Sequence, residues 1–142
     1  MKAISLHQPW ATLVAYGEKQ YETRSWKPNH RGLLAIHAAK RLDDVQKAIC
    51  YEQPFRDALQ RAVYGPSNMH LGAVLCVVKL VDIIPTGQLL DQLSAQELAF
   101  GNYGPGRYAW KLELVKRFTN PIPMAGMQSL FDIADDLIMR FV

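Results

Sequence analysis

The chain has 142 residues, 49% of them hydrophobic and 20% charged, with a formal net charge of +3. A chain of this length buries one real core, and the balance is that of an ordinary globular protein, so one domain over residues 1–142 is expected. No stretch approaches the roughly 18 uninterrupted apolar residues of a membrane span. The opening Met1-Lys2-Ala3-Ile4-Ser5-Leu6 is too short an apolar run for a secretory signal. The expectation is therefore a cytoplasmic protein with no membrane partner. The mild positive charge permits a polyanionic ligand without requiring one.

In chain order, residues 2–6 read as a short strand. Pro9 then suits the first turn of a helix, Trp10, Leu13 and Val14 form its apolar stripe, and Gly17 stops it. Residues 19–26 alternate and read as extended, and a Pro28-Asn29-His30-Arg31-Gly32 loop leads to a buried strand at 33–37. Asp43 and Asp44 can cap a helix with Val45, Ala48 and Ile49 on one side. Beyond Pro54, an apolar stripe of Phe55, Leu59, Ala62 and Val63 continues to Gly65. The strongest strand is 71–84, almost all Val, Leu and Ile, closed by Pro85. A short helix at 94–100 follows. Residues 107–118 then alternate, with Tyr108, Trp110, Leu112 and Leu114 on one face. Residues 129–142 predict a last short strand and a helical end.

Helices do not alternate regularly with strands, so a doubly wound parallel sheet is not expected. The order predicts an α+β fold, a mixed and mostly antiparallel sheet curled into a small barrel with helices at its rim. Cys50 and Cys76 have neither zinc-site spacing nor the density of a disulfide scaffold, and two buried, reduced thiols are expected.

The segment Gly17-Glu18-Lys19-Gln20-Tyr21-Glu22-Thr23-Arg24 holds two cations, two carboxylates and two hydroxyls directly after a helix stop. On an extended strand Glu22 and Arg24 share a face, with Lys19 at the strand's start. Such a trio can grip a planar polar ligand, the arginine as a fork. Spacing alone favours a plainer account, a solvated strand with an ordinary Glu22–Arg24 ion pair. Trp10 and Trp26 flank the segment, and aromatic faces beside cations are what single-stranded nucleic acid stacks on. For Trp10 the plainer reading is its own helix's core stripe. His7 and His37 stand alone, and no His or Cys spacing suggests a metal site, so no metal or cofactor is expected. Gly101-Asn102-Tyr103-Gly104-Pro105-Gly106-Arg107 reads as a turn into the second long strand. Glu97 completes a capping box with Ser94, which would use its carboxylate structurally.

Taken together, these stretches resemble the ASCH domain family, relatives of the PUA fold. The likeness is carried by Ile4-Ser5-Leu6-His7-Gln8-Pro9-Trp10-Ala11 and by a GxKxxExR signature at Gly17, Lys19, Glu22 and Arg24, followed by Ser25-Trp26. It continues through Arg31-Gly32-Leu33-Leu34-Ala35-Ile36-His37-Ala38, Gly106-Arg107-Tyr108-Ala109-Trp110 and the closing Pro123-Met124-Ala125-Gly126-Met127-Gln128-Ser129-Leu130-Phe131. The resemblance implies a small barrel with a cleft beside the signature that binds RNA or a nucleoside or nucleotide. Lys19, Glu22 and Arg24 would be the contacts, with Trp26, Trp10 and His7 around them.

Some members of the family are small amidohydrolases acting on N4-acetylcytidine through a lysine, a threonine and a glutamate. Lys19 matches the lysine, Glu22 stands where the threonine would be, and Glu97 is a loose match for the glutamate. If the protein is an enzyme, Lys19, Glu22 and Glu97 are thus its candidate catalytic residues. A third reading, a metal-dependent ribonuclease, would draw on His7, Lys19, Glu22 and Arg24. Binding is the favoured expectation because it needs no residue the sequence lacks.

Overall fold

In the computed structural model, which describes residues 1–139, the strands and helices follow the predicted order. They are β1 (Lys2–Leu6), α1 (Trp10–Ala15), β2 (Tyr21–Arg24), β3 (Gly32–Ala38), α2 (Asp44–Ile49) and α3 (Phe55–Arg61). Then come β4 (Ala73–Pro85), a single 3-10 turn at Thr86–Gln88, α4 (Ala95–Ala99), β5 (Tyr108–Pro123), β6 (Leu130–Asp132) and α5 (Asp135–Ile138). Of the expected helical end, residues 140–142 lie outside the described residues.

The six strands form one sheet in the order β2-β5-β4-β3-β1-β6, and the mixed α+β architecture is the curled half-barrel of the PUA-like fold. Only β1 and β3 run parallel among the described pairs; the rest are antiparallel. Both faces of the sheet are covered, which is why the start of β4 can be apolar without alternating. Ile4, Leu34, Ile36, Val78 and Trp110 pack with α1 on one face. Ala3, Ala35, Val77, Phe118 and Phe131 pack with Ile138 on the other.

α2 begins at a reciprocal cap: Asp43 accepts from the Gln46 N–H and the Gln46 side chain accepts from the Asp43 N–H. This cap has a consequence for the apolar side expected of the helix. It buries Gln46 and turns Val45 outward, 77% exposed. Val63, expected to extend the α3 stripe, lies beyond the helix at φ +62 and is 81% exposed. Leu114 is 43% exposed, although the unbroken pairing of Val78 with Leu114 and Leu80 with Leu112 keeps it on the expected face beside Leu112. Cys50 and Cys76 are both buried free thiols, and desolvation pushes the Cys76 pKa upward.

Candidate functional site

A cleft of about 1360 Å³ opens where β1 and β3 end, walled by β2, the 99–107 loop and the 124–129 loop. Its floor begins in β1. Ser5 pairs in register with His37 of β3, and their side chains meet at 2.7 Å, Ser5 Oγ to His37 Nδ1. His37 Nε2 lies 2.7 Å from the Met124 carbonyl oxygen, which can only accept. A neutral imidazole therefore carries its proton on Nε2 and receives the Ser5 hydroxyl proton at Nδ1.

After β1 the chain turns through His7 and Gln8. Gln8 is fully buried, its Oε1 accepting the Thr12 N–H at 2.9 Å while its Nε2 donates to the His70 carbonyl. That anchor sets Trp10 at the cleft wall, half-buried and edge-on to Phe55 with ring centroids 6.0 Å apart. His7 lines the cleft from an exposed position. Just beyond the end of α1 stands Gly17, whose φ of +73 suits a residue without a side chain, and the chain runs on to β2.

The signature residues then divide between the cleft and the interior. Glu22 and Arg24 both line the cleft, Arg24 Nε and Nη2 donating to Glu22 Oε2 at 3.0 and 2.8 Å. Arg24 Nη2 also donates to the Ser5 carbonyl at 3.2 Å, which ties β2 to the floor. Nη1 makes no hydrogen bond among the described residues. Lys19 is not part of the cleft lining. Its side chain is completely buried, Nζ donating to the Phe100 carbonyl at 3.0 Å and standing 3.7 Å from Glu22 Oε1. Burial pushes the lysine pKa down, and the charges of Glu22 and Glu97 oppose that shift.

Glu97 lies on the interior side as well. The Ser94 hydroxyl caps α4 by accepting the Glu97 N–H, but the Glu97 carboxylate does not fold back to complete the expected box. It turns instead to the residue just before β2, Oε1 accepting the Gln20 N–H at 2.7 Å. Its Oε2 is buried with no hydrogen-bond partner, and desolvation raises its pKa. Lys19, Glu22 and Glu97 are therefore brought together, but of the three only Glu22 lines the cleft.

Trp26 is placed elsewhere. Its ring sits 5.0 Å from that of Trp110, edge-on, and it is absent from the cleft lining.

Sequence reasoning did not single out two cations. Arg107, at the end of the glycine-rich turn, lines the cleft while donating to the Asn102 and Thr23 carbonyls at 3.0 and 3.3 Å. Lys40 lines it from an exposed position and makes no ion pair among the described residues. The turn's position before β5 was the available signal for Arg107; Lys40 had none. Thr23 carries structure: its Oγ1 accepts the Asn102 N–H at 3.0 Å. Gly101 permits that close docking, since a Cβ there would lie 2.8 Å from the Tyr103 ring. Gly126 does the same for the far wall, where a Cβ would collide with Ser5 Oγ and lie 2.6 Å from the His37 ring.

Among the described residues no helix is long and apolar enough to cross a membrane, and no three His, Cys, Asp or Glu side chains converge as a metal-binding group. The fold is similar to the crystal structure of ASCH from Zymomonas mobilis, with a TM-score of 0.54 at 16% identity over 98% of this chain and 91% of that one. Activating signal cointegrator 1 of Homo sapiens, and likewise of Mus musculus, is 34% identical over 89 residues, 63% of this chain. That match spans only 15% of either relative's length. The model of the ASCH domain matches residues 4–122, and the chain belongs to the ASCH domain family.

Proposed function

We propose that the cleft binds RNA, taking a nucleoside or nucleotide unit of a single strand, with a base against Trp10 and phosphates near Arg107 and Lys40. One observation carries this reading: a cleft of about 1360 Å³ lined by three cations, Arg24, Lys40 and Arg107, against one carboxylate, Glu22, with an aromatic wall at Trp10. Glu22 is already neutralised by Arg24 and Lys19, so Lys40 and Arg107 leave the cleft electropositive. Cations position a phosphodiester chain without reading its sequence, and an aromatic face accepts any base. Glu22 and Arg24 form the polar wall beside the base, His7 stands at the rim, and Lys19 supports Glu22 from behind.

Fluorescence anisotropy with a labelled single-stranded RNA of about eight nucleotides tests the proposal. Affinity should fall steeply with added salt, and Lys40→Ala should weaken binding and reduce the salt slope by about one. Lys40 makes no hydrogen bond or ion pair among the described residues, so its loss reports on the ligand rather than the fold. Absence of saturable binding at low salt would refute the reading.

A hydrolytic reading has one observation in its favour, the buried Lys19 of lowered pKa beside Glu22. In it Glu22, at the cleft wall, would activate water against an acylated cytidine, with Lys19 and Glu97 setting its charge. Mass spectrometry of N4-acetylcytidine after incubation with the protein decides it: release of cytidine that is lost in Glu22→Gln supports hydrolysis, and intact substrate excludes it for this nucleoside.

A further inference from the structure

We infer that Arg117 and the paired hydroxyls of Tyr16 and Tyr64 form a phosphate site outside the cleft, which takes the backbone of an RNA strand leaving it. The inference rests on the binding function proposed above and extends its surface beyond the cleft lining.

Three parts of the chain meet at this site. Tyr16 stands at the end of α1, Tyr64 follows α3, and Arg117 lies on β5 opposite Cys76 of β4. The Arg117 guanidinium sits over the Tyr16 ring, 4.1 Å from its centroid. The Tyr16 ring in turn meets the Tyr64 ring edge-on, with centroids 5.4 Å apart. Stacking holds the arginine's plane in place without using any of its N–H groups. Arg117 is exposed and makes no hydrogen bond or ion pair among the described residues.

The two hydroxyls have a proton to spare. Tyr16 and Tyr64 share one hydrogen bond, Oη to Oη at 3.3 Å. Each hydroxyl brings one proton, and one bond uses one of them, whichever oxygen donates. Neither hydroxyl has another hydrogen-bond partner among the described residues. That bond, with burial behind it, pushes the Tyr64 phenol up to about 12, so the hydroxyl keeps its proton at neutral pH. The Arg117 charge opposes the rise, so the guanidinium acts on the Tyr64 hydroxyl as well as on the Tyr16 ring. What remains is a patch of unspent donors, guanidinium N–H groups and one phenolic O–H. Its complement is an anion with several acceptor oxygens, and a phosphodiester has that chemistry.

The neighbouring rim points to the source of the phosphate. The Tyr64 ring lies 6.0 Å from that of His70, edge-on. The His70 carbonyl is held by Gln8, and the next two residues, Leu71 and Gly72, line the cleft. Lys40 passes the same rim, its side chain 3.9 Å from where a Gly72 Cβ would stand. A strand whose phosphates lie near Lys40 therefore leaves the cleft over Leu71 and His70, towards Tyr64 and Arg117.

The test is fluorescence anisotropy with labelled single-stranded RNAs of about four and about twelve nucleotides, the shorter one filling only the cleft. The long RNA should bind more tightly than the short one. Arg117→Ala should weaken the long RNA about three- to fivefold. It should also lower the salt slope of the long RNA by about 0.7 and leave the short RNA unchanged. The double variant Tyr16→Phe, Tyr64→Phe keeps both rings and removes both hydroxyls. It should weaken the long RNA without changing its salt slope, because no charge is lost.

Equal binding of the two lengths overturns the inference while RNA binding stands. So does a long RNA indifferent to either variant, or a short RNA weakened as much as the long one, since the effect would then belong to the cleft or to the fold. If the short RNA binds too weakly to measure, the affinities and salt slopes of the two variants for the long RNA decide alone. Failure of both lengths to bind removes the proposed function and this inference with it.

Discussion

Glu18 and Lys19 are neighbours in sequence, and each ties the segment before β2 to neighbouring helices, Glu18 to α3 and α4 and Lys19 to the end of α4, but in different surroundings. Glu18 faces outward: Arg61 Nε and Nη2 donate to its two oxygens at 2.7 and 2.9 Å, and Gln96 Nε2 donates to its carboxylate at 2.9 Å. Lys19 faces inward to Glu22, to the Phe100 carbonyl, and to the field of Glu97, the residue next to Gln96. The outer connection has the shorter ion pair, 2.7 Å against 3.7 Å. By distance alone it would be the stronger. Burial reverses that ranking, because water screens the Arg61 side, half-exposed, and cannot replace any partner of Lys19, whose side chain has no exposure. For these two connections, solvent access outranks separation in setting the expected cost of losing a charged partner.

The most damaging way to break the comparison is Lys19→Met. It fills nearly the same volume but removes the cation shared by Glu22 and Glu97, leaving Glu22 with Arg24 alone, and leaves the Phe100 carbonyl without its donor. Removing one partner from a buried charge cluster costs about 3 kcal/mol or more. That is a large share of a small domain's stability. Urea unfolding should show it as a lower midpoint with an unchanged slope.

Glu97→Gln has a smaller effect whose sign depends on pH. The wild-type carboxyl has a pKa raised by burial above its ordinary value of 4.5, so the folded state holds this proton more tightly than the unfolded chain. The folded state is therefore favoured at low pH, and that advantage is lost as pH rises through the folded-state value. Glutamine keeps an oxygen for the Gln20 N–H and carries no charge. Relative to Glu97→Gln, the wild type should lose stability as pH rises from the ordinary carboxyl value of 4.5 through the raised folded-state value. Parallel unfolding curves for the two proteins across this range check the sign.

The same distinction between local and distant causes explains what could be read from the sequence. The order of elements was legible because it rests on local signals: the apolar run of β4, the Asp43 cap of α2 and Gly17 after α1. The Glu22–Arg24 pair was legible too, since period-two alternation alone puts both on one face. Trp10 and Trp26 show the limit. Both flank the signature, but only Trp10 reaches the cleft, because Trp26 meets Trp110 on the β5 strand, 84 residues away in sequence. The Glu97 carboxylate satisfied a local capping pattern on paper but was drawn to the segment before β2 across 77 residues. Ser5 and His37 carry no local mark at all. Their contact exists only because β1 and β3 pair in parallel, and parallel pairing leaves no turn signal between its strands. Val45 and Val63 err the other way, as apolar residues in a helical rhythm that a cap and a helix end turn towards water.

The gentlest test acts on the outer connection. Arg61→Ala removes the Glu18 ion pair, and with it the hydrogen bond from Arg61 Nη2 to the Gln96 side chain. Gln96 still donates to the Glu18 carbonyl at 3.0 Å, so α4 and the segment before β2 stay joined after the guanidinium is gone. Glu18 then faces water, which solvates its charge freely, and no buried group is stranded. Thermal unfolding should stay close to that of the wild type at moderate salt, and RNA binding should be unaffected because neither Arg61 nor Glu18 lines the cleft. A loss of stability comparable to that of Lys19→Met would mean that separation, and not solvent access, ranks the two connections. The shorter ion pair, which joins the segment before β2 to α3, would then be the stronger of the two.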